Sequence, residues 1–149
     1  MDYRLGKRSK ERLQGVDPRM VRVVERAISI SEQDFSVICG LRTIEEQKAL
    51  VAKGASQTMK SKHLEGLAVD LMAWVDGGRW ELNLYDEIAD AMRKAAIEEG
   101  VTIRWGAAWH KTLNEWDGSA EDLMNEYIDL RRSQGRRPFI DGPHFEIME

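Results

Sequence analysis

The sequence predicts an α+β domain in which a small, mostly antiparallel sheet is packed with helices. Two kinds of segment lead there. Stretches with apolar residues three and four apart, bracketed by capping residues, read as helices. Short β-rich or period-2 runs read as strands, and these are brief and irregularly separated along the chain. At 149 residues and 17.1 kDa, the chain has the length of one domain and can bury a core without staples. No repeat, low-complexity stretch or Pro/Ser-rich linker divides it.

The elements follow in order. Asp17 and Pro18 form a helix start, an N-cap carboxylate before a proline at the first helical position. Met20, Val24 and Ile28, with Val21 and Ala27 beside them, then share one helical face. Residues 35–39 form a β-rich run ended by Gly40. Thr43 with Glu46 fits a capping box, which predicts a helix over 44–53 that stops at Gly54. Residues 54–65 are polar without a period and read as a loop. Residues 67–74 are an apolar run broken by Asp70, short enough for a buried strand. Tyr85, Ile88, Ala89, Met92 and Ala96 define a helix over 84–99, closed by Gly100. A short strand over 101–105 follows. Ser119 opens a last helix carrying Ala120, Leu123, Met124, Tyr127 and Ile128. Residues 144–148 alternate as a final strand.

Composition excludes several classes. Cys39 is the one cysteine, so no intramolecular disulfide framework exists. No apolar run approaches the roughly 20 residues of a membrane span, which argues against stable membrane insertion. The basic N-terminus lacks the apolar core of a secretory signal, so the chain is expected to begin in a reducing cytoplasm. With 22 Lys and Arg against 26 Asp and Glu, the net charge of −4 speaks against a nucleic-acid binder.

The chemistry concentrates in two stretches. In Ser61-Lys-His63-Leu-Glu-Gly66-Leu-Ala68-Val-Asp70, both faces of the strand around Asp70 are apolar. A carboxylate there must be paired, protonated or bound to a metal. His63 precedes Gly66, where the chain can turn, so imidazole and carboxylate can meet on one cation or simply hydrogen-bond in the core. In Asp141-Gly-Pro-His144, a stiff turn sets Asp141 just before the last strand and His144 at its start. His63, Asp70 and His144 would give three protein ligands with one position open, the arrangement of a catalytic zinc. Asp141 could then serve as general base, or be only a turn residue.

Ser61-x-His63-x-x-Gly66-x-Ala68-x-Asp70 resembles the SxHxxGxAxD signature of zinc D-Ala-D-Ala carboxypeptidases and dipeptidases and their phage endolysin relatives. Asp141-x-x-His144 is similar to that family's second motif, and Gly40-Leu-Arg42-Thr43 with Gln47 to a third. The opening (Gly6-Lys7 to Leu13, then Val16 to Pro18) and Arg104-Trp-Gly106-Ala-Ala-Trp109 look like phage L-alanyl-D-glutamate peptidases. The resemblance implies a hedgehog/D-Ala-D-Ala-peptidase-like fold and a catalytic Zn2+ held by His63, Asp70 and His144. It also implies Asp141 as base and an endolysin that cuts peptidoglycan stem peptides at the L-Ala–D-Glu bond. Ala108 departs from it, since endolysin relatives usually carry Asp before the tryptophan of this segment. Residues 110–138 match less well.

Arg42 is expected to stabilise the oxyanion. Ser61, Gln47, Trp105 and Trp109 are candidate substrate contacts, and His110 is a weak rival ligand. Cys39 reads as an inert core thiol, and the basic run Arg4 to Arg12 as a solvated face. The expected protein is a monomeric, single-domain enzyme over 1–149 with no separate wall-binding domain. It would wait in the host cytoplasm until a holin releases it to the periplasm and cell wall. Its alternatives are a D-Ala-D-Ala carboxypeptidase or dipeptidase, and a non-catalytic zinc-binding module of the hedgehog kind.

Overall fold

A computed structural model describes residues 3–56 and 58–149. The elements run α1 (Lys7–Arg12), α2 (Pro18–Ile30), β1 (Phe35–Cys39), α3 (Ile44–Ala52), β2 (Ala68–Trp74), β3 (Gly78–Arg79), α4 (Leu82–Glu99), β4 (Ile103–Trp105), α5 (Ala120–Ser133) and β5 (His144–Ile147). The five strands form one sheet in the order β1-β2-β5-β4, with β3 beside β2, and every pairing is antiparallel. The α+β expectation therefore holds. Among the described residues no helix is long and apolar enough to cross a membrane.

The caps act as the sequence indicates. The Asp17 side chain accepts from Arg19 N at 2.9 Å, and Thr43 and Glu46 close a full capping box. Helix α4 packs between α2 and α5 and against β2 and β4. The sheet face toward the helices carries Phe35, Val37, Val69, Leu71, Ala73, Ile103, Trp105, Phe145 and Ile147, all buried. Alternation along the strands sends Asp70, His144, Glu146 and Arg104 to the opposite face.

Three elements were not expected. The basic segment contributes the short helix α1, which seals the free edge of β1. Ser9 Oγ accepts from Val37 N at 2.9 Å, and Arg12 Nη1 donates to Val37 O at 3.0 Å. These bonds occupy groups that an open edge would offer to another chain. The small strand β3 extends β2 as a hairpin. Within the stretch expected to be loop, Lys62–Glu65 form a 3-10 turn.

Strand β1 carries a bulge. Val37 lies opposite Leu71, yet Cys39 lies opposite Asp70, so Ile38 is the extra residue. The bulge switches Cys39 from the helix-facing side to the side of Asp70.

Candidate active site

The open sheet face carries a cavity of about 780 Å³, walled by Ser56, Thr58 and Ser61 on one side and by Trp109, Phe139 and Asp141 on the other. His63 reaches it from the 3-10 turn. Ser61 Oγ accepts from His63 N at 3.2 Å to start that turn. Gly66 ends it at φ +71°, where a side chain would also meet Gly15 O. Arg42 N donates to His63 O at 2.9 Å, tying the two loops together.

The Asp141–His144 turn is clamped to Gly106. Asp141 N donates to Gly106 O and Gly106 N donates to His144 O, each at 2.8 Å. A Cβ at position 106 would lie 2.2 Å from Asp141 O. Glycine is the residue that allows the turn to press this close.

Both imidazoles converge on one carboxylate oxygen. His63 Nε2 lies 3.2 Å and His144 Nδ1 3.1 Å from Asp70 Oδ1. The other ring nitrogens are committed elsewhere. His63 Nδ1 faces Gly40 O at 2.8 Å, and a carbonyl only accepts, so this nitrogen carries the hydrogen. His144 Nε2 donates to the buried carboxylate of Glu146 at 2.8 Å. The nitrogens left facing Asp70 can therefore offer lone pairs. Ligands of a tetrahedral zinc with bonds near 2.0–2.1 Å sit about 3.3 Å apart. The two nitrogen–oxygen separations match that edge, and two imidazoles with one carboxylate are a zinc-type donor set. His63 and His144 each meet Asp70 at that edge, and Asp70 is shared by two groups that could hold a metal, Cys39, His63 and Asp70 on one side and Asp70, Asp141 and His144 on the other.

The electrostatics agree. Burial opposes charge on His63, yet its bonds to Asp70 and Cys39 carry its pKa up to about 10. Burial likewise opposes charge on His144, and Asp70 and Glu146 carry it up to about 9. Burial pushes Asp70 up, but the two histidines outweigh it and hold its pKa well below the ordinary range. Without a cation the cluster gathers protons, which a metal would displace.

Asp141 points a carboxylate at this cluster. It shares with Asp70 and His144 a set of ligand-capable atoms mutually within 4.8 Å. Its side chain has no hydrogen-bond partner among the described residues. Burial, then repulsion from Asp70, raises its pKa, which suits a group that must take a proton.

Arg42 stands on the other side. Its Nη2 lies 3.7 Å from Asp70 Oδ2 and 3.3 Å from Cys39 Sγ, and its Nη1 donates to Gln47 Oε1 at 2.7 Å. Trp109 lines the cavity, stacked on His144 with ring centroids 5.5 Å apart and held by its Nε1 bond to Phe139 O.

Several expectations change. Gln47 is fully buried; its amide holds Arg42, Ser56 Oγ and Thr58 O instead of facing the cavity. Trp105 is also fully buried, stacked on Phe145 with Nε1 donating to Gly142 O at 2.7 Å. It stands opposite Phe145 on the core-facing side of the sheet, away from the cleft. Cys39 is no core thiol, since the bulge brings its Sγ to 3.7 Å from His63 Nδ1. His110 pairs with Glu126 at 2.9 Å, outside the metal-capable cluster. Glu146 and Arg104 were missed as site residues. The i, i+2 spacing of His144 and Glu146, which shares a strand face, is a signal for Glu146 alone.

Fold and site together define a hydrolase-type centre, with residues that could hold a metal on an open sheet face and a carboxylate and a guanidinium beside them. The family model of phage L-alanyl-D-glutamate peptidases matches residues 1–148, and the chain belongs to that family. It is 32% identical to an L-alanyl-D-glutamate peptidase of Escherichia phage T5 over 99% of this chain and 100% of that protein. The crystal structure of the Serratia marcescens L-Ala D-Glu endopeptidase ChiX superposes with a TM-score of 0.73. It is 36% identical, and the match covers 99% of this chain and 91% of the other.

Proposed function

We propose that this chain is a zinc-dependent endopeptidase that hydrolyses the L-alanyl–D-glutamyl bond of peptidoglycan stem peptides. The observation that carries the reading is the convergence of His63 Nε2 and His144 Nδ1 on Asp70 Oδ1, with the unpaired Asp141 carboxylate beside them. The relatives' names support the bond. A purely structural metal site would have no use for an unpaired acid in its cavity, which counts against a non-catalytic module.

His63, Asp70 and His144 would hold the zinc. Such an ion would supply a water of pKa about 7 and polarisation of the scissile carbonyl. Asp141 accepts a proton from the attacking water and returns it to the departing D-glutamyl nitrogen. Arg42, held by Gln47, supplies positive charge to the oxyanion that forms on the carbonyl oxygen. Ser61 keeps the His63 turn in place, and Trp109 forms one wall against which the substrate packs.

The same reading extends to biology. The enzyme acts as a monomer within one domain, as a phage endolysin that stays in the host cytoplasm until a holin opens the inner membrane. Membership of a phage family supports this. Intact expressing cells then remain viable, and brief permeabilisation triggers lysis.

The decisive experiment is mass spectrometry of purified peptidoglycan digested with the zinc-loaded protein. Products with a new N-terminal D-glutamyl residue, abolished by a chelator, are expected. Release of terminal D-alanine, or no cleavage by metal-loaded protein, overturns the reading.

A further inference from the structure

We propose that Arg104 recognises the free α-carboxylate of the substrate's D-glutamyl residue, on the leaving-group side of the scissile bond. This rests on the peptidase reading above. In a stem peptide, D-glutamate continues through its γ-carboxyl. Its α-carboxylate therefore stays on the carbon that bears the scissile nitrogen. Cleavage at this bond brings that anion beside Asp70, Asp141 and Glu146, where it is repelled unless a cation meets it.

The cavity wall offers Arg42, Lys60, Lys62 and Arg104. Arg42 uses both terminal nitrogens on Gln47 and Cys39 and sits against Asp70. Lys62 Nζ donates to Ile147 O at 3.0 Å. Lys60 is an exposed loop side chain with no side-chain partner among the described residues. Arg104 is both fixed and free, and its planar fork, unlike the Lys62 ammonium, can take a carboxylate with two parallel bonds. It stands opposite Glu146 in the β4–β5 ladder, and its Nη2 donates to Glu146 Oε2 at 2.9 Å. Its guanidinium lies 5.2 Å from the centre of the Trp109 ring, which also stacks on His144. Its Nη1 has no hydrogen-bond partner among the described residues, and 29% of the side chain is exposed.

Glu146 does not exhaust this arginine, because the carboxylate also accepts from His144 and the guanidinium has five N–H donors. A planar fork held in place can take a carboxylate with little ordering cost. The arrangement puts one arginine on each side of the metal-binding trio, Arg42 at Asp70 and Arg104 beyond His144.

The test compares two synthetic peptides, one carrying D-glutamate with a free α-carboxylate and one carrying its α-amide, with zinc-loaded wild type, Arg104→Gln and Arg104→Lys. Wild type is expected to favour the carboxylate in kcat/KM by about 10- to 100-fold, the range of a charge-assisted hydrogen bond. Arg104→Gln, which still offers a donor to Glu146, should keep its zinc and lose most of that preference. Arg104→Lys should recover part of it. If Arg104→Gln slows both peptides equally, the residue works only through Glu146 and His144 and the carboxylate contact is wrong. A wild type that cuts both peptides equally well overturns it too. A wild type that cuts neither overturns the peptidase reading, and the carboxylate contact falls with it.

Discussion

Glu146→Gln tests whether one buried carboxylate sets the strength of the metal site. Glu146 is 4% exposed. Its Oε1 accepts from His144 Nε2 at 2.8 Å and its Oε2 accepts from Arg104 Nη2 at 2.9 Å. Glutamine keeps the shape but cannot accept at both ends. If its oxygen faces His144, its NH2 meets the Arg104 donor; if it turns over, two donors meet at the imidazole. One charge-assisted hydrogen bond is lost in either case, worth about 1.5–3 kcal/mol. The negative charge that makes the imidazole a better ligand is lost as well. Removing such a partner costs about 10–100-fold in metal affinity, so the apparent Kd for zinc should rise by that factor. Competition against a chromophoric chelator measures it. The turnover of saturated enzyme should fall less than the affinity, because Asp141 and Arg42 are untouched. An unchanged zinc Kd, with metal-saturated activity strongly reduced, would refute the argument and make Glu146 part of the chemical step.

Three further outcomes follow from the geometry. Asp141→Asn keeps the turn but cannot take a proton, so kcat should drop about 10²–10⁴-fold while zinc content stays stoichiometric; near-normal turnover would remove Asp141 from the reaction. Gln47→Leu strips Arg42 Nη1 and Thr58 O of buried partners, costing about 2–3 kcal/mol in urea unfolding. It should also lower kcat without loss of metal, and full turnover would show that Arg42 needs no such support. Asp86 is pushed up to about 6 by burial and by repulsion from Glu121, Asp90 and Glu87, and its Oδ1 has no partner among the described residues. Its raised folded pKa means that the cost of its charge is absent below about pH 4, grows as pH rises to about 6, and stays constant above. Asp86→Asn should therefore stabilise the protein by about 1–2 kcal/mol at pH 7 and by almost nothing at pH 4, and an equal gain at both pH values would exclude the charge as its cause.

Much of the fold was legible because its elements announce their own boundaries. Asp17 with Pro18, Thr43 with Glu46, Gly100 and Ser119 are local signals that need no tertiary context. Helix α1 was not legible, since only Ser9 of its six residues is buried, which leaves no apolar period to read. Its reason for existing is the free edge of β1, a feature of the sheet and not of the segment. The two-residue strand β3 is equally silent, being defined by its pairing with β2.

The site shows the same division. His63, Asp70, Asp141 and His144 fall in two short motifs whose internal spacing is visible, and the structure brings all four into one cavity. Cross-strand neighbours are invisible to any local pattern. Arg104 meets Glu146 across 42 positions of sequence, and nothing in either segment names the other. The bulge at Ile38 defeated the period-2 reading of β1 in a particular way. Regular alternation puts Cys39 with Phe35 and Val37 in the core, and one inserted residue turns it to the face that carries Asp70. That shift places a thiol between Arg42 and His63, so the environment of the guanidinium is set by a register change in a strand outside the ligand motifs. The polar face accordingly runs across four strands, from Cys39 on β1 through Asp70 on β2 and His144 and Glu146 on β5 to Arg104 on β4. Each strand contributes one or two of these side chains, and apart from the His144–Glu146 bond within β5 their partners lie on other elements. The antiparallel order that makes them adjacent is what turns isolated polar residues into a site.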